Sequence, residues 1–436
     1  MIESLLGFLA LGVLVLLRVP IAFAMIVVGI VGFAMLRNWT SSLTLVGNVA
    51  LDTGLSFTLS VIPLFILMGN LLAVSGVAQS LFSSAHRLLH RLKGGLAMAT
   101  IVACGGFSAV CGSSLATAAT MSKVAMPSMR KAGYADSLAT GSIAAGGTLG
   151  ILIPPSVILI IYGLITEADI GKLFIAGIIP GVLGMLLYVL AVMVAVRINP
   201  SLAPAEIDEQ GVSTKELFGV LSVVVLFIVI LAGIYGGFFT PSEAAAVGAA
   251  TAFVIAFALG GMSLEKTIAV GSDTVRTTAM IFALIIGAEV FSNFISFAGL
   301  PDEILSWVSG LEVNAYVVVI ALVLIYVLLG AVLESLSMIL LTVPIFYPLV
   351  TGLDFGEGVL ASPEAVTIWF GIIVVVVTEI SLISPPMGLN VFVLRAVVTD
   401  VPLSTIFRGI FPFWCFDMIR LLLLIAFPIL SLALIL

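Results

Sequence analysis

The stretch GGFSAVCGSSLATAAT, residues 105–120, breaks the pattern of the chain around it. Its flanks are built of Leu, Ile, Val, Ala and Phe, whereas this segment gathers three glycines and five hydroxyl side chains. Such a run exposes backbone carbonyls and amides. In an apolar surrounding they stay unsatisfied unless protein or a water-filled cavity takes them up. What surrounds the stretch therefore decides the fold.

The 436 residues are 62% hydrophobic and 9% charged, against about a quarter charged in a soluble domain. Apolar runs recur at 3–17, 20–36, 57–74, 172–196, 216–234, 243–260, 278–297, 314–333, 366–383 and 409–436. Runs of this kind suit the ~30 Å hydrocarbon core of a bilayer. They lack the alternation of a membrane β-barrel. The sequence reads as an all-α polytopic membrane protein whose first partner is the lipid bilayer. Charge order points to a first transmembrane helix rather than a cleaved signal peptide, because Glu3 precedes the first run and Arg18 follows it, the reverse of a basic leader. That order places the N-terminus outside. Cys104, Cys111 and Cys415 have no metal-ligand spacing and read as packing residues. The net charge of −7 comes from loop carboxylates and gives no reason to expect a nucleic-acid partner.

Basic residues sort to one side. Arg87, Arg91 and Lys93 lie in AHRLLHRLKGG (85–95), Arg130 and Lys131 in MRKAGYAD (129–136), and Arg197, Lys215, Lys266, Arg276 and Arg408 in other connections. The opposite connections, TEADIGK (166–172), LPDEILSW (300–307) and LDFGEGVLASPEA (353–365), are acidic. An excess of Lys and Arg marks the cytoplasmic side. The sorting works if residues 94–130 enter and leave on the basic face and residues 312–352 on the acidic face. The expectation is two re-entrant hairpins from opposite sides. Four ordinary spans would put a basic and an acidic cluster on the wrong faces.

These hairpins belong to two similar units. The first runs from IPLFILMGNLLAVSG (62–76) through an amphipathic arm, 77–92, the hairpin, and GGTLGILIPPSVILIIYG (146–163). The second runs from IFALIIGAEVFSNFISFAG (281–299) through an arm at 300–311 and a hairpin with LLGAVLESLSM (328–338) near its tip. It ends in TEISLISPPMGLNVFVL (378–394). Gly76 to Gly112 is 36 residues and Gly299 to Gly330 is 31. The units start on opposite faces, which makes them inverted repeats, a plan common to secondary transporters with a midplane site. The expected organisation is N-terminal scaffold helices over 1–56 and a first repeat over 57–170 with a broken helix at 135–166. Scaffold helices and a cytoplasmic loop fill 171–276. The second repeat covers 277–400 with a broken helix at 364–398, and a C-terminal scaffold helix covers 401–436.

Proline lacks a donor and clashes with the preceding turn, so helices must break at Pro154-Pro155 and Pro385-Pro386. Facing the hairpin tips, these breaks offer neutral oxygens. Carbonyls and hydroxyls are hard ligands suited to Na⁺, and half-helix N-termini attract an anionic substrate group. One expected Na⁺ site joins Ser108, Gly112, Ser113 and Ser114 with Gly147, Thr148 and Gly150. Its mate joins Gly330, Glu334, Ser335 and Ser337 with Thr378, Ser381 and Ser384. Substrate is expected between them, near Pro155, Ser156, Pro386 and Asn390. The competing reading of each hydroxyl is a bond back to its own helix or small-residue packing. Glu334 and Glu379 read either as ion- or proton-coupling groups or as structural hydrogen-bond acceptors. Lys123 and Arg395 either attract a substrate carboxylate or snorkel to the cytoplasmic surface. Asp417 and Arg420, three apart on the last helix, are expected to pair. No catalytic residue, cofactor-binding residue or cofactor is expected; Na⁺ enters as the coupling ion.

GYADSLATGSIAAGGTLGILIPPSVILIIYG (133–163), GGFFTPSEAAAVGA (236–249) and SPPMGLNVFVL (384–394) resemble the large membrane subunit, the DctM-type permease, of tripartite ATP-independent periplasmic (TRAP) transporters. The resemblance spans nearly the whole chain. It implies an elevator transporter of the bacterial inner membrane with a pair of Na⁺ sites. It also implies an organic-acid substrate delivered by a periplasmic substrate-binding protein, and a small membrane subunit supplied as a separate polypeptide. Both termini are then periplasmic. Thr240 to Glu243 carry over as structural: an N-cap Thr, a first-turn Pro and Glu at the third helical position. A stand-alone divalent-anion/Na⁺ symporter is the nearest rival. Such proteins commonly carry Ser-Asn-Thr at the tips, where this chain has Cys-Gly-Ser-Ser (111–114) and Glu-Ser-Leu-Ser (334–337). An intramembrane hydrolase using Ser108 or Ser113 finds no Gly-x-Ser-x-Gly, and His86 and His90 lie in the arm. The chain is expected not to be an enzyme.

Overall fold

A computed structural model describes residues 2–204, 214–260, 262–311, 313–330, 333–386 and 388–436. Every regular element among them is helical. α1 (Ile2–Leu16), α2 (Ile21–Leu36) and α3 (Trp39–Leu55) lead to α4 (Val61–Val74). Next come α5 (Val77–Leu89), the pair α6 (Gly95–Cys111) and α7 (Ser114–Lys131), and then α8 (Asp136–Thr148) and α9 (Val157–Thr166). α10 (Ile170–Ile198), α11 (Thr214–Tyr235) and α12 (Pro241–Gly260) separate this series from a second one. That series is α13 (Leu264–Phe297), α14 (Leu300–Gly310), the pair α15 (Ala315–Gly330) and α16 (Ser335–Thr351), then α17 (Pro363–Ser381) and α18 (Leu389–Val397). α19 (Leu403–Ala426) and α20 (Ile429–Leu432) close the chain.

The two series share their element order and their punctuation. Each short amphipathic helix, α5 and α14, is entered through a left-handed glycine, Gly76 at φ +83° and Gly299 at φ +75°. Each broken helix crosses a cis Pro-Pro bond, Pro154-Pro155 and Pro385-Pro386. Six helices, α10, α11 from Glu216, α12, α13, α17 and α19, are long and apolar enough to cross a membrane. A seventh span arises if α3 and the segment from Thr58 to Val74, bent by 60°, count as one.

The structure redraws several of the apolar runs. α3 fell outside them because its Thr, Ser, Asn and Asp dilute its hydropathy; Asn38 starts it by accepting from the Ser41 amide at 2.8 Å. α13 begins at Leu264 rather than 278, since Ser263 accepts from the Lys266 amide (3.3 Å) and polar residues continue the helix. The arms stop earlier than expected, at Leu89 and Gly310. The last run divides before Pro428 into α19 and α20. Within the second hairpin, Glu312, Ala331 and Val332 lie outside the described residues, as do Met387 of SPPMGLN and 205–213 of the cytoplasmic loop.

One group of helices packs α2 on α13 and α4 on α12. Small residues allow this approach, as in membrane helix pairs generally: a methyl group on Gly29 would lie 2.9 Å from the Phe291 amide nitrogen. The other group surrounds α6, α8 and α17. Every residue of α17 from Ala365 to Ser381 is buried, as is every residue of α8 from Leu138 to Thr148. A helix apolar on all sides needs protein or lipid on all sides; here protein supplies it, and the helices leading into both breaks sit deep in the molecule, with Pro154 and Pro155 buried and Pro385 and Pro386 exposed. Of the helices expected in the scaffold, α10 packs on α6, α8 and α17, and α19 packs on α8 and α17.

Candidate functional site at the hairpin tips and helix breaks

α6 ends because Gly112 turns left-handed at φ +62°, its amide bonding back to the Ser108 carbonyl at 2.8 Å. Ser113 then starts α7, its hydroxyl accepting from the Ala116 amide at 3.3 Å. Across from this tip, α8 stops at Thr148, tightens into a turn over Leu149–Ile151 and crosses the prolines. Ser156 begins α9 by accepting from the Leu159 amide at 3.2 Å, and its hydroxyl donates to the Ile151 carbonyl. Tip and break touch. A methyl group on Gly150 would overlap Ser108 Cβ, and one on Gly147 would lie 3.2 Å from the Ser114 carbonyl. One on Gly112 would stand 3.5 Å from the Pro155 carbonyl. Ser108, Gly112, Ser114, Gly147 and Gly150 of the first expected Na⁺ site thus lie at one tip-and-break contact, and Ser113 and Thr148 adjoin them in the chain.

The second site has the same relation with the roles exchanged. Gly330 ends α15, and a methyl group there would overlap Ser381 Cβ at the end of α17. Glu334 precedes α16 without capping it through its side chain. Ser335 and Ser337 are buried, and the Ser335 hydroxyl has no hydrogen-bond partner. On the break side, Thr378 donates to the Val374 carbonyl and Ser381 to the Thr378 carbonyl, both at 2.6 Å. Ser384 donates to the Ile380 carbonyl (2.7 Å) and accepts from Trp414 Nε1 (2.8 Å). These hydroxyls spend their hydrogens on their own helix, which leaves oxygen lone pairs as what they present.

The expected substrate residues differ in setting. Pro155 and Ser156 are buried, whereas Pro386 is exposed. Asn390 Nδ2 donates to the Ala144 carbonyl at 3.1 Å, tying the start of α18 to α8, while its buried Oδ1 has no partner. The Arg395 guanidinium donates to the carbonyls of Val398 and Thr399 beyond the end of its own helix. Glu379 is fully buried and accepts from Arg420 at 2.6 Å. The expected Asp417–Arg420 pair forms at 2.9 Å. At the far end of α7, Arg130 bonds Asp136 (2.8 Å) and Asp400 (2.7 Å), and its hydrogen bond holds the Asp400 carboxyl below the usual range.

Two site neighbours escaped the sequence reading. Thr117, one turn after Ser113 inside the opening stretch, is buried with an unpartnered hydroxyl; its i+4 spacing from Ser113 was the available signal. Tyr188 reaches Thr148 from α10, and a lone Tyr in an apolar helix gave no indication of its target. Among the described residues no group of three or more His, Cys, Asp or Glu is placed to hold a metal. Apart from the Glu334 carboxylate the converging groups are neutral oxygens, several of them without a partner, and such a set of hard oxygen ligands suits an alkali cation better than a transition metal.

Helix breaks packed against paired tips in an all-helical chain with six helices apolar enough to cross a membrane point to a membrane transporter permease. A family model described as the tripartite ATP-independent periplasmic transporter, DctM component, matches residues 8–430, and the chain belongs to that family. It is 37% identical to the C4-dicarboxylate TRAP transporter large permease protein DctM of Pseudomonas aeruginosa over 88% of this chain and 87% of that one. Identity to the sialic acid permease SiaM of Vibrio cholerae is 32%, over 98% and 96%. For the ectoine permease TeaC of Halomonas elongata it is 30%, over 95% of each. These relatives are transporter permeases, and the chain is not an enzyme. Among solved structures, the Alcanivorax borkumensis YdaH transporter matches with a TM-score of 0.58 at 18% identity, over 84% of this chain and 85% of that one. Neisseria gonorrhoeae MtrF matches at 0.54 and 14%, over 88% and 83%. At such identity the likeness concerns the fold alone.

Proposed function

We propose that this permease carries out Na⁺-coupled secondary uptake of a small organic acid, handed to it by a periplasmic substrate-binding protein. It works beside a separate small membrane subunit in the bacterial inner membrane, with both termini periplasmic. The observation that carries the reading is the paired contact of tip and break, Ser108 on Gly150 and Gly330 on Ser381. Each contact gathers hydroxyl and carbonyl oxygens that supply the ligand chemistry of Na⁺. The relatives named for C4-dicarboxylates, sialic acid and ectoine all handle small carboxylate-bearing solutes. The partner-free Oδ1 of Asn390 and the start of α9 at Ser156 are the polar groups offered to such a solute.

In this reading α6–α7 and α15–α16 are re-entrant hairpins of two inverted repeats. Together with α8–α9 and α17–α18 they form the body that moves against the frame of α1 to α4 and α11 to α13. The amphipathic α5 and α14 are the arms between them. α10 and α19 travel with the moving body, because the buried ion pair joining α17 to α19 would be torn by sliding between them.

The test is uptake into proteoliposomes containing this chain and its small subunit. Transport is expected to require an inward Na⁺ gradient and a substrate-loaded binding protein. Uptake by the chain alone, without either, overturns the proposal.

A further inference from the structure

Away from the tips, buried polar side chains meet where α8, α10, α17 and α19 converge. Tyr188 on α10 donates its hydroxyl to Asp417 Oδ2 on α19, and that hydroxyl lies 3.2 Å from Thr148 Oγ1 at the end of α8. One turn along α19, Arg420 Nη2 forms an ion pair with Asp417 Oδ1 at 2.9 Å and donates to Glu379 Oε2 on α17 at 2.6 Å. Thr148, Tyr188, Glu379, Asp417 and Arg420 are all buried. Gly184 of α10 makes room for the guanidinium, since a methyl group there would overlap Arg420 Nη1.

The ends of this chain of bonds coincide with the two breaks. Thr148 is the last residue of α8, and Glu379 lies two residues before the last residue of α17. α17 also packs on the turn Leu149–Ile151 inside the first break. As mere adhesive the arrangement is poor. Desolvating each ion costs several kcal/mol, and apolar residues of similar volume hold helices together as well or better. The same two helices already have a simpler tie in Trp369, whose Nε1 donates to the Leu424 carbonyl at 2.9 Å.

A buried network does what apolar packing does not: its bonds tolerate little change in length or direction. Asp417 accepts from Tyr188 and is ion-paired with Arg420, so it is held from both sides. The end of α8 then cannot turn without disturbing Tyr188, nor the end of α17 without disturbing Arg420.

We propose that Tyr188, Asp417 and Arg420 are positioning residues that hold the Thr148 end of α8 and the Ser381 end of α17 in one frame, so that a cation bound at either break favours binding at the other. This rests on the Na⁺-coupled reading above.

Na⁺ activation of uptake in proteoliposomes tests it, with the small subunit and loaded binding protein present. Wild type is expected to show a sigmoidal Na⁺ curve. Tyr188→Phe, which removes one hydroxyl and keeps the ring, and Asp417→Asn should flatten it toward a hyperbola. Half-saturation should rise about fivefold or more, the range of ordinary site-to-site coupling. Maximal rate and substrate KM at saturating Na⁺ should be kept. Trp369→Phe, which loosens the same helix pair, should lower thermal stability and leave the Na⁺ curve unchanged. Wild-type curves in both Tyr188→Phe and Asp417→Asn overturn the proposal. A Trp369→Phe curve shifted like theirs overturns it too, since the cluster would then act only as glue. Wild-type uptake indifferent to Na⁺ defeats the underlying function reading, and is told apart by appearing without any substitution.

Discussion

Gly330, the last residue of α15, lies so close to Ser381 at the end of α17 that a methyl group in its place would overlap the serine Cβ and Oγ. The same contact occurs at the first break with glycine and serine exchanged, Gly150 against Ser108. Gly330→Ala and Gly150→Ala are therefore expected to destabilise the protein by about 1–3 kcal/mol, the usual cost of overpacking. Adding Ser381→Gly or Ser108→Gly relieves the overlap and removes a hydroxyl. Thermal stability should return in the double variants while Na⁺ affinity does not. Thermal melts and Na⁺ activation curves on the four variants separate packing from ligation. Recovery of both would show that the serines contribute bulk alone.

Ser113 serves two ends, capping α7 through the Ala116 amide and standing at the first tip. Ser113→Ala should cost about 1 kcal/mol as a lost N-cap. It should also raise the Na⁺ half-saturation about tenfold if ligation is worth about 1.4 kcal/mol. Ser381→Ala should shift Na⁺ dependence likewise, more than it lowers expression. Unchanged Na⁺ affinity in both variants refutes the ligand assignment.

What could be read in advance follows from how local the signal is. The prolines and glycines that end helices act within a few residues, so the breaks at 154–155 and 385–386 and the chain reversal around Gly112 were legible. So was the i, i+3 pair of Asp417 and Arg420. Glu379 as the second partner of Arg420 was not, because 41 residues separate them and apolar periodicity carries no record of which helices meet. The same holds for Tyr188, which lies 40 residues from Thr148. α3 was missed for the opposite reason: its hydropathy is low, and a cap at Asn38, not an apolar run, defines it. Arg395 shows a third limit. Its distance from the break left a substrate role open, and only the structure puts its guanidinium on the carbonyls past the end of α18.

Gly141 on α8 and Gly409 on α19 meet backbone to backbone: a methyl group on Gly141 would strike the Gly409 carbonyl, and one on Gly409 the Ser137 carbonyl. Neither neighbour is a flexible side chain that could swing aside. Gly141→Ala and Gly409→Ala should each push α19 off the broken helix and cost about 1–3 kcal/mol. The shift in melting temperature of purified protein in detergent measures it. A variant melting with wild type would mean the two helices can part without penalty, contrary to their burial.

Thr240 and Glu243 form a reciprocal cap at the start of α12. The Thr240 amide donates to Glu243 Oε2 at 2.8 Å, and the Glu243 amide donates to Thr240 Oγ1 at 3.3 Å. The bond from the Thr240 amide holds the Glu243 carboxyl below its usual range, so this contribution to stability is present at neutral pH. It is lost as pH falls through that lowered value, when the carboxylate gains a proton. Thr240→Ala removes the hydroxyl arm and should cost about 1 kcal/mol. Glu243→Gln keeps a weaker, uncharged acceptor and should fall between wild type and Glu243→Ala. The cap stands apart from the tips, so Na⁺ half-saturation should stay at the wild-type value in Thr240→Ala even as the melting temperature drops. A raised half-saturation in that variant would move this segment, read here as structural, into the transport site.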